Sequence, residues 1–320
     1  MVGHCLIPAG ALTLDATLPR TEHDFMADMS EYERAAMAEI EAWKNAPEGV
    51  VSRAISTVAS TAPVKWLIEH APSVPETLTR PVATAVQGFL ELLKDGAYWT
   101  YSDDSILARA REQGLQVQNL GELAEQPLEG LDKLARGFFA ENKIIAALEG
   151  AGTGFGGLLL IAADIPALFT VAFRTIQQIG ASYGFDMRDP NMAPVVLGII
   201  GVASGAEEAA KIAALTDMQV TAKMFAKNWT YKKVAERTMA GGPAQALKQL
   251  AERMPREIAN SVTKRKLAQA IPLAGAAVGA GFNYWFIAST ARTAYMTFRE
   301  LYLLRKQAGP ADDDELPAGA

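Results

Sequence analysis

The segment from Gly150 to Phe173, GAGTGFGGLLLIAADIPALFTVAF, constrains the fold more than any other part of this 320-residue chain. It is rich in glycine at its start and apolar throughout, with one acidic residue, Asp164. A run of about 20 apolar residues is long enough to cross a bilayer. The segment therefore predicts either a membrane element or the close-packed centre of a helical core.

The tripeptide Asp164-Ile165-Pro166 favours the second interpretation. Asp164 is a good helix N-cap, and proline is tolerated in the first helical turn, where its missing N–H costs nothing. We therefore expect two helices, at about Gly150–Ala163 and Ile165–Ser182. Each is awkward as a lone straight span, which favours a buried hairpin or a re-entrant element.

A second apolar stretch, Pro272–Ala291, carries no charge and is the best transmembrane candidate in the sequence. Pro272 is expected to open a helix about 30 Å long at 1.5 Å per residue. Its glycines and alanines make the stretch only mildly hydrophobic, and Asn283 lies within it.

Helical spacing dominates wherever a period can be read. Ser30-Glu31-Tyr32-Glu33 matches a capping box and predicts a helix running to about Asn45, before Pro47. Apolar residues recur on one helical face at Val82, Val86, Phe89, Leu90 and Leu93, and again at Leu131, Leu134 and Phe138. No alternating β-branched run bounded by hairpin turns competes, so the predicted fold is all-α, a compact multi-helix bundle.

Three pairs of glycines, each spaced by four residues, interrupt the apolar segments. They are Gly152 and Gly156, Gly201 and Gly205, and Gly275 and Gly279. This spacing places both glycines on one helix face, so helix backbones can approach closely, in a membrane or in a soluble core. We expect glycine-faced, close-packed central helices, at a propensity cost of about 1 kcal/mol per glycine.

Charge is distributed unevenly along the chain. Residues 1–142 carry 11 Lys and Arg against 21 Asp and Glu, whereas residues 207–266 carry 12 against 6. The basic segment could meet anionic lipid or pair with the acidic half of the chain. The expected organisation is a mobile tail at 1–29, an acidic helical part at 30–142, an apolar glycine-rich core at 143–206, basic helices at 207–270, a long C-terminal helix at 272–308, and a disordered acidic tail at 309–320.

The N-terminal sequence lacks the basic and apolar regions of a secretory signal, and one cysteine excludes an intramolecular disulfide. We therefore expect a cytoplasmic protein. The three histidines form no metal-binding motif with other ligands, and GxSxG and phosphate-loop motifs are absent. No metal, no cofactor and no nucleic-acid partner is expected, and no catalytic motif identifies an enzyme.

Several ordered blocks resemble the EcsC family, helical bacterial proteins named from an operon that also encodes an ABC transporter. They are YERAAMAEIEAW at 32–43, GTGFGG at 152–157, AADIPAL at 162–168, Arg174, Tyr183-Gly184, and IPLAGAAVGAGFNYWFI at 271–287 before a basic helix with Arg292 and Arg299. The resemblance spans about residues 30–306. It implies a helical fold and a cytoplasmic or membrane-associated protein, with a transporter as a partner by family context, but no reaction.

Polar residues that interrupt apolar segments are the site candidates. They are Asp164, Arg174, Tyr183, Glu207, Asn283 and Arg292. Unpaired charges in such a core would cost several kcal/mol, so we expect them to pair with one another or with helix ends. Each has a structural interpretation: Asp164 as an N-cap, Arg174 as an ion-pair partner and Asn283 in an interhelical hydrogen bond. In the functional interpretation, these residues form the polar floor of an apolar pocket that holds a lipid or peptide headgroup.

Three functions remain open from the sequence. The first is a non-enzymatic helical protein associated with the cytoplasmic face of the membrane or with a membrane partner, holding a lipid or other apolar ligand between its helices. The second is a lipid or peptide hydrolase using a polar cluster around Asp164 and Arg174. The third is a soluble helical scaffold.

Overall fold

The computed structural model describes residues 28–45, 76–77, 80, 83–84, 87–88, 100–153, 157–189, 192–204, 258, 262 and 275–308. The elements within these ranges are α1 (Glu31–Lys44), α2 (Asp103–Glu112), a 3₁₀ helix (Gly121–Glu125), α3 (Leu128–Thr153), α4 (Gly157–Ser182), α5 (Ala193–Ala203) and α6 (Gly275–Ala308). The described residues contain no strand. The prediction of an all-α bundle is confirmed.

The long helices α3, α4 and α6 form the centre of the bundle, and α6 packs against both of the others. The side chains of Asp132 and Asn142 on α3 contact Tyr183 and Gln178, so α3 and α4 are antiparallel. α6 runs in the direction of α4, because Phe286 lies against Phe169 whereas Phe298, farther along α6, lies beside Gly180. The carboxyl end of α3 and the amino ends of α4 and α6 therefore lie at one end of the bundle.

The predicted capping box opens α1 and is confirmed. Ser30 Oγ accepts the Glu33 N–H at 3.1 Å, and Ser30 N–H donates to Glu33 Oε2 at 2.9 Å. α1 then packs along α6 through three ion pairs, which are Glu33 with Lys306, Glu39 with Arg299, and Lys44 with Glu300. An acidic helix near the start of the chain is thereby attached to the last helix described.

The core is continuous through α3, α4, α5 and α6. The predicted stripe of Leu131, Leu134 and Phe138 is buried in α3. α5 is apolar on every face. Its residues from Val195 to Ile200 are all buried, as expected for a helix without a polar face. The stripe from Val82 to Leu93 lies outside the described residues.

The expected helix boundary at Asp164 is wrong. α4 runs without interruption from Gly157 to Ser182, with Pro166 inside it, so Asp164 is not an N-cap. A proline inside a helix removes one backbone hydrogen bond and bends the helix more often than it ends it when neighbouring helices hold both halves. α4 is described from Gly157, so the helix that contains Asp164 begins before the predicted position.

The last helix described, α6, runs from Gly275 to Ala308. Residues 272–274 lie outside the described part of the chain. Across the residues that the structure describes, no helix combines the length and the apolar character needed to cross a membrane.

The glycine contacts that the structure shows differ from the predicted pairs. Gly156 and Gly205 lie outside the described residues, so close packing through the predicted pairs stays a prediction. Gly184, directly after α4, has φ +74°, and a Cβ atom there would lie 2.5 Å from the backbone nitrogen of Ala124. Only glycine fits this contact between α4 and the 3₁₀ helix, since the backbone is left-handed and has no room.

We predict that Gly184→Ala lowers the free energy of unfolding by more than Gly114→Ala. Gly114 also has a positive φ, of +88°, but a Cβ atom there would meet nothing within 4 Å. Both variants carry the backbone strain of about 1–2 kcal/mol, and only Gly184→Ala adds an overpacking cost of about 1–3 kcal/mol. Urea unfolding followed by circular dichroism measures both, and equal losses would contradict the close contact.

Candidate functional site

The most distinctive polar group in the described part of the structure is built on Asp132, a fully buried residue of α3. Tyr183 Oη donates to its Oδ1 at 2.6 Å, and Tyr32 Oη donates to its Oδ2 at 2.7 Å. Arg299 Nη2 lies 2.8 Å from Oδ2. These four residues, the Asp132 cluster, join α1, α3, α6 and the end of α4 through one carboxylate.

The charges of the cluster are balanced along a line that leads to the surface. Arg299 is almost completely buried, and its Nη1 lies 2.6 Å from Oε2 of Glu39, whose side chain is half exposed. A buried ion pair is favourable only when its remaining donors and acceptors are also satisfied. Here two hydroxyls and a second carboxylate supply most of those partners, and Arg299 Nε is buried without a hydrogen-bond partner among the described residues.

Tyr295 of α6 extends the cluster. Arg136 of α3 donates from Nε and Nη2 to Tyr295 Oη at 3.1 and 2.8 Å. The guanidinium of Arg299 lies 5.2 Å from the centre of the same ring, and the ring of Tyr183 lies 6.4 Å away. Cation–π contact and ring packing thus add to the ion pairs that hold Arg299 in place.

Burial and the Asp132 carboxylate set the protonation states of this group. Burial, reinforced by the negative charge of Asp132, raises the pKa of Tyr183 and of Tyr295. Burial and the hydrogen bond to Asp132 likewise raise the pKa of Tyr32. Burial opposes the charged form of Arg299, but the hydrogen bond to Glu39 and the charge of Asp132 outweigh it and raise its pKa. The tyrosines are therefore neutral, Tyr32 and Tyr183 donate to Asp132, and Arg299 is a cation at neutral pH.

Arg305 closes the end of α4 beside the cluster. Its Nη2 donates to the carbonyl of Tyr183 at 2.9 Å, and its guanidinium lies 4.8 Å from the ring centre of Phe185. Burial lowers the pKa of Arg305 to about 10, which still leaves it charged at neutral pH. A cation at a helix carboxyl end satisfies carbonyls and complements the helix dipole.

The Asp132 cluster is arranged to hold helices together. Both carboxylate oxygens accept bonds from protein donors, and Asp132 has no exposed surface. A general base must reach the proton that it removes. The geometry therefore supports a fixed interhelical lock and offers a substrate no direct contact with this carboxylate.

A second charged group lies between α2, α3 and α4. Arg109 Nη2 donates to Glu141 Oε2 at 2.8 Å, and Arg174 Nη2 lies 3.7 Å from Glu141 Oε1. Unlike Asp132, all three side chains are partly exposed, by 33%, 35% and 41% for Arg109, Glu141 and Arg174. This group, the Glu141 cluster, can be reached from solvent.

The predicted site residues are distributed over several positions. Tyr183 belongs to the Asp132 cluster and Arg174 to the Glu141 cluster. Asn283 is buried in α6, and Arg292 is exposed on the same helix. Asp164 lies inside α4, and Glu207 lies outside the described residues. Arg174 and Tyr183, the two with carboxylate partners, contact different carboxylates.

Sequence reasoning missed Asp132 as a site residue. Its signal was present, because Leu128, Asp132, Ala135 and Phe139 follow helical spacing and place one acid within an apolar stripe of α3. Tyr32 was noted within the capping-box match and a block of family resemblance, and Arg299 only within the resemblance. Their partnership with Asp132 depends on helix pairing, which periodicity does not reveal.

Cys5 and all three histidines lie outside the described residues. Among the residues that are described, no three His, Cys, Asp or Glu side chains are grouped closely enough to hold a metal ion.

The model of the EcsC protein family matches residues 34–303, which include both charged clusters apart from Tyr32. The chain belongs to the EcsC family. It is similar to protein EcsC of Bacillus subtilis (strain 168), with 26% identity over 240 residues covering 74% of this chain and 83% of that protein. It is also similar to the uncharacterized protein YdbA of the same organism, with 23% identity over 238 residues covering 72% and 80%. No solved structure matches the chain.

Within this EcsC-family chain, we predict that Asp132→Asn lowers the free energy of unfolding by about 3–5 kcal/mol, because it leaves Arg299 buried without its full countercharge. Tyr183→Phe removes one donor to the same carboxylate and should cost about 1.5–3 kcal/mol. The matched control is Glu112→Gln, the same acid-to-amide change at an exposed position, which should cost less than about 0.5 kcal/mol. Denaturant unfolding measures all three, and losses for Asp132→Asn as small as the control would show that the cluster is not a lock.

Proposed function

We propose that this EcsC-family protein is a non-enzymatic helical protein that binds an anionic membrane surface, with one end of its bundle inserted at the lipid interface. The observation that carries the proposal is the difference between the two ends of α3, α4 and α6. At one end these helices carry the Asp132 cluster, Arg305 and Lys306. The other end, formed by residues 144–153, 157–167 and 275–284, contains two charged residues, Glu149 and Asp164. We call it the apolar end.

Exposed side chains support an interfacial role for the apolar end. Ile144 is 62% exposed and Tyr284 is 41% exposed, and they are the large hydrophobic residues most exposed among those described. Lys143 Nζ lies 4.2 Å from the ring centre of Phe139 and 5.8 Å from that of Tyr284. Aromatic rings next to lysine are typical of the level of lipid headgroups.

Basic residues border the apolar end on each central helix. They are Lys143 on α3, Arg174 on α4 and Arg292 on α6. Each Lys or Arg near an anionic bilayer contributes about 1 kcal/mol of attraction. Apolar tips with a basic border suit a protein that lies in the interface without spanning the bilayer.

The hydrolase alternative gains no support from the described residues. Arg174 and Tyr183 contact separate carboxylates, and the hydroxyl of Tyr183 is already donated to buried Asp132. The alternative is that the apolar end binds a membrane protein such as a transporter. Protein-free vesicles distinguish the two, because only lipid is present in them.

We predict that the protein floats with protein-free vesicles containing anionic phospholipid. Ile144→Glu should weaken this partitioning by roughly tenfold or more, since it places a charge where an apolar side chain would otherwise enter the lipid. The matched control, Gln116→Glu, adds the same charge at an exposed position beside the opposite end of α3 and should leave flotation unchanged. Circular dichroism verifies the fold of each variant. Absence of the wild-type protein from the vesicle fraction, or equal losses in both variants, would overturn the proposal.

A further inference from the structure

The Glu141 cluster has more positive charge than its single carboxylate can neutralise. Two guanidinium groups, from Arg109 on α2 and Arg174 on α4, converge on Glu141 of α3. A carboxylate can accept a two-pronged bond from one arginine, but here each arginine reaches a different oxygen through one nitrogen. One net positive charge remains on the cluster.

Hydrogen-bond donors in the cluster are also left over. Arg174 Nε is buried and donates to no atom of the described structure, and its Nη2 is too far from Glu141, at 3.7 Å, for a normal hydrogen bond. Arg109 Nη1 is likewise buried and unpartnered within the described residues. Buried donors in native proteins are nearly always paired, so two such donors around one carboxylate indicate a site for a further acceptor.

The two guanidinium groups have the chemistry that recognises a tetrahedral anion. The guanidinium of Arg109 lies 4.2 Å from the ring centre of Phe138, which restricts its orientation. Guanidinium forks match the oxygen spacing of phosphate, and an anion with three free oxygens can engage two arginines at once. The partial exposure of Arg109, Glu141 and Arg174 leaves the cluster open to an anion from outside.

We propose that Arg109 and Arg174 bind a phosphate group, with Glu141 as the internal anion that phosphate displaces. This chemistry occurs in a free phosphate and in the headgroup of phosphatidic acid, and separate measurements distinguish these sources. Binding of free phosphate does not require membrane insertion, so the site stands or fails independently of the proposed function.

Isothermal titration with inorganic phosphate tests the site directly. Arg174→Gln should weaken binding by roughly tenfold or more, because it removes a charge-assisted donor set. The matched control is Arg188→Gln, which makes the same charge change at similar exposure, 38%, where the guanidinium already lies 2.6 Å from Asp103. Its phosphate affinity should equal that of the wild type. Glu141→Gln should strengthen phosphate binding by several-fold, since it removes the internal competitor. If Glu141 had only a structural role, the same substitution would not increase the affinity for phosphate.

The second arm uses vesicles of phosphatidylcholine with and without phosphatidic acid. Phosphate or phosphatidic acid binding that falls with Arg174→Gln, persists with Arg188→Gln and rises with Glu141→Gln supports the proposal, and the arm in which it occurs identifies the source. No binding in either arm, or equal effects of the two arginine variants, overturns it. Ile144→Gln removes the same apolar side chain without adding a charge one helical turn from Glu141 and should leave inorganic phosphate binding unchanged, so failure of membrane insertion and failure of this site give different results.

Discussion

The arrangement of the described helices depends on one buried carboxylate, that of Asp132. Its donors come from positions far apart in the chain, Tyr32 on α1, Tyr183 after α4 and Arg299 on α6. A buried charge is costly unless each of its acceptor sites is used, and this requirement is met only when the four segments are assembled together. The cluster therefore makes correct packing of α1, α3, α4 and α6 a joint condition rather than a set of independent contacts.

Because the charged residues are concentrated at one end of the bundle, the other end can be apolar. The ion pairs of α1 with α6, the Asp132 cluster and Arg305 all lie toward the carboxyl ends of α4 and α6. They supply specific, directional interactions there, so the apolar end can be rich in glycine and alanine and still belong to a defined structure. We attribute the membrane affinity that we propose to this division between a rigid charged end and an apolar end with exposed Ile144 and Tyr284.

Much of the local structure was predictable from sequence because its causes are local. The Ser30–Glu33 capping box and the buried stripe of α3 follow from caps and periodicity. The expected break at Asp164 was wrong because tertiary packing carries α4 through Pro166, against a strong local signal. Asp132 was missed because its partners, 100 and 51 residues away in the chain, are brought to it only by helix pairing.

In the proposed arrangement, one end of the bundle meets lipid while the Asp132 end maintains the fold. Hydrogen exchange with and without anionic vesicles tests it most directly. We expect backbone amides in 144–153, 157–167 and 275–284 to exchange more slowly in the presence of vesicles, with unchanged exchange around Asp132, Tyr183 and Arg299. Slower exchange confined to the Asp132 end, or no change at the apolar end under conditions where the protein is vesicle-bound, would contradict the account.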